Sequence, residues 1–464
     1  MIKKVPMLMP PLVKFGLRAA LLFLVGHAHA ETPTNWKSSS EGISDASVAD
    51  SENWWRLFHD ETLLRLIDGL DLTAPQLAAA VQRLQQARAG ATQARSGRFP
   101  TITTSIGGAR SQLSQSTATA LPFRTANQWD AGITASYEVD LWGRVRNHVQ
   151  SASATVLARE KSVEALRLSL RAEVADAYIA LRGVEAELTT LEQALLMRKK
   201  TLELTEVQKI AGAGSDLEVE QARADLLSAE VEASALKQGR MELENMLAFM
   251  VGQHASDFRL PVTGSLPSVP TLPRVMPVEL LRRRPDVAEA SYRIEAALGQ
   301  VQVAHTAWLP ALNLHAGAGI SADRLHRLDD KTAQTATVGF SISLPLFDGD
   351  RRRSDLDAAK AFHQEGVEHQ RQIILAALAD AETALGKVYW GREQRVRSVA
   401  SAEAASRSAS LIRSKFAVGE IDTVQQLLAE RLRLEAVRLK VRAQTTELRS
   451  MVTLIRALGG GWNR

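Results

Sequence analysis

The chain of 464 residues contains no cysteine. That excludes disulfides, so the fold stands on packing alone, and it excludes a lipid-modified N-terminal Cys. Aromatic residues are few, at 5%. Beyond the first 30 residues no stretch offers 18 apolar residues without charges, so no helix spans a bilayer, which takes about 20 residues. Catalytic signatures are also missing: no HExxH, no P-loop, no GxGxxG after a strand, no GxSxG. The ten His are scattered, and neither His305/His315 nor His363/His369 has the one-face helical spacing of a metal pair. Without a nucleophile–base arrangement, the chain reads as a non-enzyme with no cofactor and no metal.

What is present begins with charge. Lys and Arg number 56 against 52 Asp and Glu. Four of the basic residues (Lys3, Lys4, Lys14, Arg18) and no acid lie in the first 30 positions, which leaves 52 of each sign. Those positions also hold a short apolar core, Ala19–Gly26, and the small-x-small site Ala28-His29-Ala30. This is the pattern of a secretory signal peptide, residues 1–30, cut after Ala30. The basic balance therefore belongs to export, and no nucleic-acid partner is implied.

The rest of the chain says the same thing twice. Pro100 and Pro310 are 210 residues apart, Gly143 and Gly349 are 206 apart, and Gly212 and Gly419 are 207 apart. Each half reads as helix, Pro, alternating segment, polar loop, second alternating segment and a very long helical stretch broken once by a Gly turn. A polar leader covers 31–52 and the first repeat 53–251, with a helical pattern over 60–97 and long helices at about 145–208 and 217–251. A connector with five Pro covers 252–277. The second repeat covers 278–464, with a helix over 278–308 and long helices at about 350–415 and 421–457. Some 60 helical residues make a rod of roughly 90–100 Å, which needs coiled-coil neighbours. Charges alternate along the rods at helical spacing, which reads as a solvated face.

The alternating segments lie at about 101–109, 129–139, 311–320 and 335–346. Their lengths match the roughly 9–11 residues of a tilted membrane strand. Trp129, Tyr137, Trp142, Trp308, Phe340 and Phe347 lie near segment ends, as in an interfacial girdle. Gly317 and Gly319 read as points of close backbone approach. Four strands cannot close a barrel, and open edges are not tolerated in lipid. Either the sheet is soluble, or several chains pool their strands. Three chains would give twelve, within the even-numbered range of outer-membrane barrels.

The chain resembles the TolC/NodT-type outer membrane factors, the outer membrane efflux channel family. The resemblance rests on WWRLFHDETLLRLI (54–67), QQARAG (85–90), YEVDLWGRVRN (137–147), GAGSDLEVEQA (212–222), LLRRRPDV (280–287) and ALGGGW (457–462). It implies a mainly α fold with a small membrane β part: a homotrimer with a 12-stranded barrel in outer membrane lipid and a helical periplasmic tunnel. The partners it implies are a periplasmic adaptor (membrane fusion) protein docked on the tips (Gly212, Gly214, Gly419, Glu420) and an inner-membrane transporter of the resistance-nodulation-division type. It also implies a gate of acidic residues just after the helix turns. Glu218 matches in the first half. In the second half the family pattern Leu-Asp-Ala-Gln-Arg is replaced by Leu427-Leu428-Ala429-Glu430-Arg431. The candidate gate is therefore Glu218, Asp422, Gln425, Leu428 and Glu430, with Leu428 as an apolar constriction. Three functions fit: an efflux duct for small amphiphilic compounds, the channel of a type I-like protein secretion system, or a soluble periplasmic coiled-coil scaffold.

Overall fold

A computed structural model describes residues 53–112, 114, 125–270 and 283–460. The signal sequence with Ala28 and Ala30, the leader, connector residues 271–277, the start of LLRRRPDV and Trp462 lie outside the described residues.

After a 3₁₀ turn at Trp54–Phe58 come α1 (Glu61–Thr73) and α2 (Pro75–Ser96), then strands β1 (Thr101–Gln112) and β2 (Thr125–Val139). The rod α3 (Arg144–Ile210) and its return α4 (Asp216–Met250) complete the first repeat. The second contains α5 (Pro285–Thr306), β3 (Ala311–Ala322), β4 (Gln334–Ser343), α6 (Arg351–Ala417) and α7 (Thr423–Ala457).

Several boundaries depart from the sequence pattern; β1 runs to Gln112 rather than 109 and β3 to Ala322 rather than 320. The helix read over 60–97 breaks at Ala74, which is extended (ψ 115) because Pro75 follows and opens α2. β2 begins at Thr125, four residues before Trp129. β4 stops at Ser343, short of the expected 346, where Pro345 offers no N–H to the ladder.

The sheet is antiparallel in the order β1-β2-β3-β4, so the two repeats meet at β2–β3, with Val139 opposite Leu312. Both outer strands have one neighbour only. Alternation sorts the faces. Ile106, Ile133, Leu314, Val338 and Phe340 share an exposed apolar face, while Thr103, Thr134, Ser136, His315 and Gly339 share a small, polar one. A Cβ at Gly319 would lie 2.6 Å from the Ala131 carbonyl oxygen, so close approach does require glycine there; at Gly317 the nearest contact is an ordinary 3.5 Å.

Two corners turn strand into rod. In the first, Gly143 takes a left-handed φ of 83°, the Asp140 carboxylate accepts from the Val145 and Arg146 N–H groups, and Glu138 pairs with Arg144. Trp142 Nε1 donates to the Pro310 carbonyl at 2.7 Å, tying this corner to the second repeat. In the second corner Asp348 pairs with Arg352 at 2.6 Å, and the Arg352 guanidinium lies 4.8 Å over the Trp308 ring.

The helices form a curtain. α2 and α4 pack on one side of α3, and α5 and α7 fill the space between α3 and α6. Each short helix stacks end to end on a return helix. Thr73 donates to the Val251 carbonyl where α4 meets α2, and Arg284 donates to the Ala457 carbonyl where α7 meets α5. Gly252 and Gly459 (φ 70° and 86°) pack against the incoming chain at these joints. The motifs LLRRRPDV and ALGGGW thus meet in space.

The main core lies under α1, where Trp54, Trp55, Phe58 and Ile67 pack on Val174, Tyr178, Leu181, Leu247 and Leu448. Burying each large side chain contributes about 1.5–3 kcal/mol. Part of the charge read as solvated is instead enclosed here. Arg182 and Glu185 are fully buried and paired at 2.6 Å. Glu185 also receives Arg240 at 2.9 Å and the connector N–H of Thr263 at 3.3 Å. Arg182 donates to the Tyr178 hydroxyl, which donates to Asp60, the N-cap of α1. Burial pushes the Tyr178 phenol up to about 12. The rods' helical charge spacing thus conceals ions that tie belt, connector and rod together.

Candidate functional site

The two tips are built on one plan. At the first, α3 ends at Ile210 and Gly212 turns left-handed (φ 75°). The Gly212 N–H donates to the Lys209 carbonyl at 3.0 Å and the Ala213 N–H to Gln208 at 2.8 Å, which satisfies the last carbonyls of the helix. A Cβ on Gly214 would sit 3.1 Å from the Lys209 backbone nitrogen, so the reversal leaves little room there for a side chain. Ser215 caps α4: its hydroxyl accepts from the Glu218 N–H at 3.3 Å, and the Glu218 carboxylate accepts from the Ser215 N–H at 2.9 Å. This reciprocal pair is a capping box.

At the second tip Gly419 (φ 78°) donates to the Phe416 carbonyl and Glu420 to the Lys415 carbonyl, both at 3.0 Å. Asp422 caps α7 by accepting from the Gln425 N–H at 2.7 Å. Gln425 stands where Glu218 stands in the first tip, but its side chain makes no return bond among the described residues. Leu428 is 59% exposed. Glu430 is paired with Arg433 at 2.7 Å and with Arg413 across on α6. Burial alone would raise its carboxyl; hydrogen bonds from the two arginines outweigh that and hold it below the usual carboxylate range.

The candidate gate residues therefore occupy distinct environments. Glu218 and Asp422 serve as helix caps, Glu430 is neutralised by two arginines, and Leu428 is an exposed apolar side chain. No hydrogen bond or ion pair among the described residues joins Glu218 to the second tip. The hairpins meet one level deeper, at a cavity of about 30 Å³ lined by Arg198, Asp225, Leu427, Glu430 and Arg433, roughly the space of one water.

A model of the family "outer membrane efflux protein" matches residues 66–253 and 276–460. The chain belongs to the outer membrane efflux protein family. The two matched blocks are separated by residues 254–275. The pyoverdine export outer membrane protein OpmQ of Pseudomonas putida is 30% identical over 93% of this chain and 92% of its own length. The toluene efflux pump outer membrane protein TtgI of Pseudomonas putida is 26% identical over 94% of this chain and 93% of its own. Among solved structures, the outer-membrane channel OprN superposes with a TM-score of 0.84 at 30% identity, over 93% of this chain and 98% of that one. As an outer membrane efflux protein, the chain is the outer-membrane exit duct of an efflux system, with its sheet in the membrane and its rods in the periplasm. The soluble scaffold reading falls with this membership.

Within the efflux-protein fold, the sequence pattern missed the ion pairs that hold the hairpins together. Arg198 pairs with Asp225 at 3.0 Å between α3 and α4. Arg438 pairs with Glu232 at 2.5 Å and Arg442 with Glu187 at 2.9 Å, tying α7 to the first hairpin. These last pairs join residues 206 and 255 positions apart, and nothing local distinguishes them from solvated charges. No cluster of His, Asp or Glu suited to a metal occurs among the described residues.

Proposed function

We propose that three copies of the chain close the duct, each giving four strands to a 12-stranded barrel and four helical columns to the tunnel. A periplasmic adaptor docks on the tips around Gly212, Gly214, Gly419 and Glu420, and an inner-membrane transporter of the resistance-nodulation-division type supplies the cargo. The observation that carries this reading is the sheet, which has one apolar face, one small polar face and two edges with a single neighbour each. In lipid each unsatisfied backbone group costs several kcal/mol, so β1 of one copy pairs with β4 of the next. Toluene efflux, for which one relative is named, supports small-molecule cargo over a polypeptide. Purified protein is expected to run as a trimer in detergent and to conduct in planar bilayers; a non-conducting monomer overturns the reading.

The gate is assigned to the tips, with Leu428 as its apolar constriction and Glu218 as its free charge. Glu218 uses one oxygen in its cap, whereas the Glu430 carboxylate is committed to Arg413 and Arg433. Glu218→Ala is expected to raise closed-state conductance and weaken block by cations more than Glu430→Ala. Identical conductance and block in wild type and both variants would remove this assignment.

A further inference from the structure

We propose that a trough over α7, walled by α3 and α6, is a way-station inside the duct for organic anions that carry an aromatic ring. It consists of two adjoining cavities of about 450 and 540 Å³, which share Lys387 and Thr453. The proposal rests on the trimeric duct described above.

The trough lies on the uncovered face of the curtain. The connector residues Gly264, Leu266 and Pro267 share a cavity with Gln444 and Leu448 of α7, and Ser268 bonds to the Phe58 carbonyl, which places the α1 belt on that same side. The trough takes Thr446, Arg449 and Thr453 from α7. At about 3.6 residues per turn, the two sets lie on opposite sides of the helix. A belt of helix, turn and connector on the inner side would fill the duct, so the belt is outside and the trough lines the lumen.

Its chemistry selects a ligand class. Four cations, Arg284, Lys387, Arg449 and Arg456, face three carboxylates, Asp176, Asp286 and Asp380. Every carboxylate lies against an arginine: Asp176 receives Arg449 through two bonds of 2.8 and 2.9 Å, Asp286 pairs with Arg284 at 2.6 Å, and Asp380 lies 3.9 Å from Arg284. The side chains of Lys387 and Arg456 have no hydrogen-bond or ion-pair partner among the described residues, so two cations are open to a guest and the trough keeps a net charge of +1. Trp390, 63% exposed, lines the same trough one turn from Lys387 and offers a ring face to stack on. An anionic sulfonate or carboxylate on an aromatic ring satisfies both features at once. The weak, exposed contacts suit passage, since a conducting site must also release its guest.

The probe is naphthalene-2-sulfonate added to trimers in planar bilayers, read as block of the current. Lys387→Gln/Arg456→Gln together, and Trp390→Leu alone, are each expected to weaken block about fivefold, the size of one or two exposed charge contacts. Neutral 2-naphthol is expected to lose affinity only with Trp390→Leu. Because the chain has no cysteine, Thr453→Cys can be modified cleanly with a membrane-impermeant sulfonated thiol reagent, and current is expected to fall on modification. Unchanged block in the variants, an unreactive Thr453→Cys, or loss of the trimer in Trp390→Leu would each overturn the way-station and leave the duct standing. Absence of any wild-type conductance would instead overturn the duct.

Discussion

The two hairpins are equal in length, 67 and 35 residues in each repeat, and unequal in what they bury. α3 encloses Val174, Tyr178, Ile179, Leu181 and Leu191 together with the ion pair of Arg182 and Glu185. α6 encloses alanines, Ala377, Ala381, Ala384, Ala402, Ala405 and Ala409, with Leu385 the one large apolar side chain buried on that rod among the described residues. Burial stabilises in proportion to apolar area, at about 25 cal/mol per Å², so within one copy the first rod draws more from its large buried side chains and the second relies on close packing of small ones. The tips follow suit: a two-bond capping box closes the first, a single aspartate cap the second. Duplication supplied the shape, and the buried side chains diverged: large and ionic in the first rod, small in the second.

The largest test lies in the core. Glu185→Leu leaves the buried Arg182 without a carboxylate, while Arg240 keeps Glu244 at 3.1 Å, and loss of one partner from a buried ion network costs about 3–5 kcal/mol. The position 207 residues on is Arg392, which is exposed, and Arg392→Leu should change stability by no more than about 0.5 kcal/mol. Thermal unfolding of the two variants measures the contrast; similar losses would break the comparison. Next comes the alanine seam. Ala409 is 2% exposed, and Ala409→Leu overpacks it at a cost of about 1–3 kcal/mol. Hydrogen exchange is expected to speed up along α6 and α7 and to stay unchanged in the core around Tyr178. A uniform change would mean that the hairpins are not mechanically separate.

Smaller still are the caps. Ser215→Ala and Asp422→Ala should each cost about 1 kcal/mol. Ser215→Ala removes only the bond from the Glu218 N–H and leaves the backbone N–H of residue 215 on the Glu218 carboxylate, so the first turn of α4 is expected to exchange more slowly than that of α7 in the Asp422→Ala variant, which loses its only side-chain cap. The reverse order would show that the capping box adds nothing over a single cap.

How far the sequence revealed this depends on the range of each interaction. Pro100/Pro310 and Gly212/Gly419 exposed the duplication because turns need particular residues at particular positions. The strands were legible because one face is apolar and the other small and polar, as from Ile102 to Ile106. Ser215 and Glu218, three apart, also spell a capping box, yet Glu218 reads first as a gate acid; both uses draw on the same carboxylate. The end-to-end stacking of α4 on α2 and of α7 on α5 was not legible, and neither were Arg438–Glu232 and Arg442–Glu187. Each joins residues far apart in sequence, and an arginine that will be buried looks like one that will be solvated.

Glu430 carries the smallest effect and the one that separates the tips by acidity. Its folded carboxyl titrates below the unfolded value of about 4.3, because the bonds from Arg433 and Arg413 outweigh burial. A carboxyl with a depressed folded pKa adds stability that is fully present above the unfolded value and is lost as pH falls through the folded one. The tie between α6 and α7 should therefore hold at neutral pH and loosen as the solution is acidified below about 4. Comparing thermal midpoints of wild type and Glu430→Gln across this range isolates it, since other titrating groups are common to both proteins. The wild-type advantage is expected to shrink on acidification. A gap that stays constant from neutral to acid pH would mean that Glu430 acts by packing rather than by charge, and the second tip would then have no acid-sensitive tie that the first tip lacks.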